Sequence, residues 1–241
     1  GQKSAIFQPA KDFASASAIY MQTRVPSFDG SLCNHLNAGF KWGSFDTYNP
    51  SLLWEHKINA KVSTSLSSEL MYTSGRYKFS YAKKNGYDTT EVRHNGDVHA
   101  VRIEGAAFGK LLDGEWRTKL YFYHSGRGYP GASVREEPGK FSHQDRQWDS
   151  DVFVQGSVRK GFGEVYALML NLKYGYNYLH YRSDPRLDVT TMYIDNTYRQ
   201  QEAYCSAAHL FNINHWWSCS FSTDFQWNKL NADLVDFVYP T

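Results

Sequence analysis

Hydrophobic and polar residues alternate along most of this chain with a period of two. In "EWRTKLYFYH" (115–124), Trp116, Thr118, Leu120, Phe122 and His124 share one side, and Glu115, Arg117, Lys119, Tyr121 and Tyr123 the other. In "WWSCSFSTDFQWN", Trp217, Cys219, Phe221, Thr223, Phe225 and Trp227 alternate with Ser218, Ser220, Ser222, Asp224, Gln226 and Asn228. In "LMLNLKYGYNY", Leu168, Leu170 and Leu172 give way to Tyr174, Tyr176 and Tyr178 along one face. Successive side chains of a strand point to opposite sides, so this pattern predicts strands. They fall near 31–42, 50–58, 61–73, 98–108, 115–124, 147–159, 164–181, 198–211 and 216–228, with almost no helical periodicity between them. The expected fold class is all-β: an antiparallel up-and-down meander of about nine to ten strands. A sheet in water hides its apolar face, whereas a membrane barrel turns that face to lipid.

The connections separate these alternatives. Short ones are expected near Asn59-Ala60, at 109–114, at 160–163 and at 212–215, and longer ones at 43–49, 74–97, 125–146 and 182–197. Up-and-down membrane barrels alternate short turns with long loops in this way, and Greek-key sandwiches do not. Asp113-Gly114 is a favoured two-residue hairpin turn. It places Leu112 opposite Glu115, Trp116 opposite Leu111, Leu120 opposite Ala107, Phe122 opposite Gly105 and His124 opposite Ile103. Arg117 then lies beside Lys110, a like-charge pair that a wet lumen screens.

Composition sharpens the picture. Among 241 residues there are 18 Tyr, 15 Phe and 7 Trp, an aromatic share of 17% in a chain that is polar overall. Trp42, Trp54, Trp148 and Trp227 are expected toward long-loop ends of strands, and Trp116, Trp216 and Trp217 just after short turns. Two interfacial aromatic belts account for that distribution better than a buried core. The longest apolar run, Val165–Leu170, is far short of the ~20 residues a spanning helix needs. The opening "GQKSAIFQPAKD" has no basic-then-apolar leader pattern. With 26 Lys+Arg against 24 Asp+Glu, the balance argues against a nucleic-acid partner. Cys33, Cys205 and Cys219 have no metal or redox spacing and read as small strand residues.

"YHSGRGYPGA" (123–132) followed by "DRQWDSDVFVQGSV" (145–158) resembles TonB-dependent outer-membrane receptors, above all the cobalamin and siderophore receptors of Bacteroides-like bacteria. "DFASASAIYMQTR" (12–24) is similar to the last part of that family's plug domain, "GSFDTYNPSLLW" (43–54) to its first extracellular turn and "SGRYKF" (74–79) to the opening of a loop. The resemblance implies that 1–26 is the C-terminal end of a plug domain and 27–241 the N-terminal portion of a transmembrane β-barrel. Family members enclose a plug in a 22-stranded barrel, so the chain is expected to be a piece of a larger receptor. The implied function is energy-coupled import of a scarce nutrient, cobalamin or an iron-siderophore-like ligand, across a Gram-negative outer membrane. The implied partners are the TonB energy-coupling complex, a small-molecule nutrient, outer-membrane lipid and a surface lipoprotein.

No catalytic constellation is present, so no enzyme activity and no cofactor are expected. The nine histidines are scattered without HExxH or paired metal spacing. "GRGYPG" lacks the Lys-Ser/Thr pair and helix of a phosphate loop and reads as a turn-rich apex. Asp145, Asp149 and Asp151 are weak calcium candidates, outweighed by a role as ordinary lumen-facing carboxylates. Arg127, Tyr129, Arg135 and Arg146 are the loop candidates for ligand contact, since Tyr and Arg supply stacking and charge at low ordering cost. Two other classes compete with the transport receptor: a passive porin or adhesin barrel, and a soluble β-sandwich binding domain that buries its tryptophans.

Overall fold

The computed structural model describes residues 24–82, 88–130, 145–183 and 192–238. They form eleven strands and no helix: β1 (Asn34–Gly43), β2 (Thr47–Lys57), β3 (Val62–Thr73), β4 (Tyr77–Ala82), β5 (Asp88–Arg93), β6 (Val98–Leu111), β7 (Gly114–Tyr129), β8 (Asp145–Phe162), β9 (Tyr166–Ser183), β10 (Met192–Asn214) and β11 (Trp217–Val238). Nine make one antiparallel sheet in the order β1-β2-β3-β6-β7-β8-β9-β10-β11, an up-and-down meander. The hairpin β4-β5 stands apart as a two-stranded sheet. The all-β meander expected from periodicity is therefore present. The described sheet is not closed into a barrel, and β1 and β11 are its two edges.

Strands run further than the alternation marks them. β7 and β8 continue to Tyr129 and from Asp145, and β10 starts at Met192, inside stretches expected as loops. The β4-β5 hairpin lies inside the expected 74–97 loop. The first connection is also tighter than expected: residues 44–46 suffice, because Phe45 and Asp46 take positive φ of 64° and 54°. The opposite end carries only tight links at 58–61, 112–113, 163–165 and 215–216. Two of these are held by asparagine side chains. Asn59 Oδ1 accepts from the Lys61 and Val62 amides at 2.8 and 2.9 Å, and Asn214 Oδ1 from those of Trp216 and Trp217 at 2.9 Å each.

The β6–β7 register corrects the expected one by two residues. Leu111 pairs with Gly114, so the turn is Leu112-Asp113; Asp113 takes the positive φ (56°) and Gly114 joins the strand. Leu120 sits opposite Gly105 rather than Ala107, and Phe122 opposite Ile103 rather than Gly105. A slip of two preserves the faces, where a slip of one would have inverted them. The revised register also removes the like-charge pair. Lys110 faces Glu115, and Arg117 donates to Glu115 at 2.9 Å.

The sheet has two unlike faces and almost no core. Apart from Pro26 in the leading segment, the buried hydrophobic side chains among the described residues are Ala106, Phe108 and Ala208. One face carries Leu36 and Phe40 on β1, Leu52 on β2, Leu120 on β7, Val152 and Val154 on β8, Leu170 and Leu172 on β9, and Phe221 and Phe225 on β11, all exposed. The other carries Glu69, Arg102, Glu104, Lys119, Lys173 and Glu202 in ion pairs.

The apolar run drifts along the strands from one edge to the other. The ladder row through Ala38 passes Leu52, Ser68, Ile103, Phe122, Val152, Tyr176 and Gln201 and ends on Lys229. Ala38 lies inside the apolar run Leu36–Trp42, but Lys229 lies six residues past Thr223, the middle of the run Cys219–Trp227. Six residues over the eight steps between nine strands, at ~3.3 Å per residue and ~4.8 Å per step, incline the band by roughly 30° to the ladder.

Tryptophans mark its margins: Trp42 and Trp148 on the long-loop side, Trp116 and Trp217 beside the tight links. Two positions differ from expectation. Trp54 is near the tight link of β2, and Trp227 is midway along β11, which runs on to Val238, though it still closes the apolar run.

A sheet with two open edges and an exposed apolar face associates through both. In detergent-free buffer the 241-residue chain is expected to form large assemblies, and in detergent to disperse. Light scattering that finds a monodisperse monomer without detergent contradicts this reading of the faces.

Candidate functional site

The loop between β5 and β6 is clasped onto the ends of β7 and β8 at the long-loop rim. Arg146 donates to both carboxylate oxygens of Asp97, at 3.1 and 2.7 Å. Asn95, at positive φ (58°), donates Nδ2 to the carbonyls of Tyr129 and Asp145 at 3.0 Å each. The Gly128 amide donates to the Asp97 carbonyl at 2.9 Å. Gly128 permits the approach, since a Cβ there would stand 2.4 Å from Asn95 Oδ1 and 2.6 Å from the Asn95 carbonyl oxygen. Hydrogen bonding to Arg146, reinforced by its charge, holds the Asp97 carboxyl below its ordinary range against the opposing effect of burial. Beside the clasp is a cleft of about 430 Å3 lined by Tyr72, Ser74, Arg76, His94, Asn95, Asp97 and Arg146.

The polar face beneath the rim carries three hydrogen-bonded groups, each centred on an aspartate of β8. Asp149 accepts from Arg127 at 2.6 Å and from Gln147 at 2.8 Å, and Gln147 in turn accepts from the Tyr129 hydroxyl at 2.7 Å. Asp145 accepts from Tyr181 and Ser183 at 3.0 and 2.6 Å, and Asp151 from Asn177 at 2.6 Å. Lower down, the Tyr121 and Phe153 rings stack at 4.7 Å between the ammonium groups of Lys119 and Lys173. Toward β1, Glu55 is only 4% exposed and meets both Arg24 and His35 Nδ1, the latter at 3.0 Å. The segment leading into β1 is thereby tied to the polar side of the sheet.

Three of the four ligand candidates are strand residues rather than loop residues, because β7 and β8 extend beyond their alternating stretches. Arg127 and Tyr129 lie together on the polar face, while Arg146 is on the opposite face in the clasp. Arg135 lies outside the described residues, as does most of the 1–26 segment assigned to a plug. Asp145, Asp149 and Asp151 share the polar face but serve separate donors. Among the described residues no group of three His, Cys, Asp or Glu side chains is placed to hold a metal ion. Sequence reasoning missed Asn95, Asp97 and Gly128. The "NGD" turn signature at 95–97 was the available signal.

No protein-family model matches this sequence, and no curated protein matches it either.

Gly128→Ala is expected to undock the 94–97 loop and to cost about 1–3 kcal/mol, the range for a forced close contact. Thermal unfolding in detergent, with proteolysis at 94–97, measures it; an unchanged midpoint and cleavage rate contradict the clasp. Because the folded-state pKa of Asp97 is depressed, its contribution is complete above the ordinary aspartate range (about 3.9) and fades as pH falls through the lower folded-state value. The protection factor of the Gly128 amide, which donates to the Asp97 carbonyl, should hold at pH 5 and fall only in stronger acid, and Asp97→Asn should abolish that acid limb.

Proposed function

We propose that this chain is part of the wall of an outer-membrane transport barrel, of the kind found in TonB-dependent nutrient receptors. The observation that carries this reading is the oblique apolar band. A slab of fixed thickness crossed by tilted strands is met further along each successive strand, and the inclination of roughly 30° approaches the ~35–45° of membrane barrels. The nine residues Cys219–Trp227, at that tilt, cover about 25 Å, the height of the apolar girdle of such barrels. The tight links then face the periplasm and the clasped rim faces outward.

The polar face is the lumen in this reading, and the leading segment held at Glu55 enters from the lumen side, where a plug domain sits. Motifs at 123–132 and 145–158 favour the plugged receptor over a passive porin. Its mechanism is capture of a scarce small molecule at the outer rim, followed by movement of the plug driven by the TonB complex. Arg127 and Tyr129, on the lumen wall near the rim, are positioned to meet such a ligand. Cobalamin and iron-siderophore-like compounds are the ligand classes that the resemblance offers. A surface lipoprotein is its implied partner at the outer rim.

In the intact receptor, Leu120→Arg is expected to reduce membrane assembly strongly and Tyr121→Arg only slightly. A cationic residue on the lipid face near the midplane costs roughly 2–4 kcal/mol, and a lumen position is wet. Heat-modifiable migration of outer-membrane fractions reads the difference, and equal yields contradict the assignment of faces.

A further inference from the structure

We propose that the outward rim of β8 and β9 seats the phosphate of an anionic lipid headgroup, a proposal that rests on the membrane-barrel reading above. Arg146 and Arg182 are direct cross-strand partners on the apolar side of the sheet. Like charges in that relation repel. Both guanidinium groups also lie over the same indole, that of Trp148, at 5.9 and 5.6 Å from its ring centre. Trp148 stacks in turn on His180 at 4.9 Å.

Among the described residues, Asp97 and Asp195 are the carboxylates beside this pair. Asp97 is committed to Arg146. Asp195 is the cross-strand partner of Arg182, but its two oxygens accept from His180 at 2.7 Å and from the Tyr193 hydroxyl at 3.0 Å. The buried Nε of Arg182 has no hydrogen-bond partner. Arg76, lining the cleft beside Arg146, adds a further cation to the same rim.

Position selects a lipid rather than a dissolved anion. Along β8 the apolar side runs Val158, Val154, Val152, then Ser150, Trp148 and Arg146; along β9 it runs from leucines through tyrosines to His180 and Arg182. That is the order of hydrocarbon, aromatic belt and headgroup met by a chain leaving a bilayer. A lipid docked there places its tails on the valines and leucines and its phosphate at Arg182, whose guanidinium fork fits phosphate oxygens, while Arg146 stays paired with Asp97.

The test uses the full receptor, purified in neutral detergent and first checked for heat-modifiable migration, so that failure of the barrel reading is seen separately. Native mass spectrometry then measures retention of a phosphorylated lipid A, a zwitterionic phosphatidylcholine control, and competition by inorganic phosphate. The wild type is expected to retain the phosphorylated lipid selectively, with about tenfold weaker retention in Arg182→Gln, equivalent to about 1.4 kcal/mol. If Arg182→Gln does not assemble, Arg182→Lys decides the matter, since it keeps the charge but loses the fork, and weaker retention is again expected. Equal retention of the two lipids, equal retention by wild type and variant, or full displacement by millimolar inorganic phosphate overturns the proposal.

Discussion

A sheet that buries almost nothing on either side takes its stability from its backbone ladder and from whatever covers its faces. The ladder is nearly complete here: eight strand-to-strand pairings are antiparallel, interrupted at Asn49-Pro50 between β2 and β3 and by an irregularity at Asn212/Asn214. In hydrocarbon such completeness is obligatory, because an unpaired backbone group has no water to turn to. The same requirement gives the edges β1 and β11 their significance, since each still presents unpaired donors and acceptors.

From that constraint the division of labour between the faces follows. The apolar side is smooth, aliphatic and bounded by aromatics, and small residues such as Gly105 and Ala107 sit among its larger ones. The polar side satisfies itself through cross-strand contacts: Arg102 with Glu69 at 2.6 Å, Lys119 with Glu104 at 2.9 Å and Lys173 with Glu202 at 3.0 Å. Exposed pairs of this kind contribute little stability each. Their value is that they hold the charge of that face balanced. At the long-loop rim the arrangement changes, and the Asp97–Arg146 clasp ties a loop down across two strand ends.

Much of this was legible in the chain because a period of two survives in most of its strands. β7, β9 and β11 announce their faces in consecutive residues, and both faces survive an error of two in register, as the Leu112-Asp113 turn demonstrates. What was illegible lay where alternation ends. The upper reaches of β7 and β8 read as loops because Gly126, Gly128 and Arg146 break the pattern of apolar residues, although the backbone continues to pair. The β4-β5 hairpin has six residues on each side, and although Tyr77 and Phe79 alternate with Lys78 and Ser80, the run is too brief to stand out from a loop. The rim clasp depends on a long-range approach of Asn95 to Gly128, which no local pattern encodes.

The orientation of the wall is the central claim, and adjacent residues test it most directly. Spin labels at Val154→Cys and Gln155→Cys, in an otherwise cysteine-free protein reconstituted in bilayers, report which side each meets. The account predicts that the label at 154 relaxes with oxygen dissolved in the hydrocarbon and the label at 155 with a water-soluble nickel chelate. Equal response of both labels to the nickel chelate, or the reverse assignment, would contradict it.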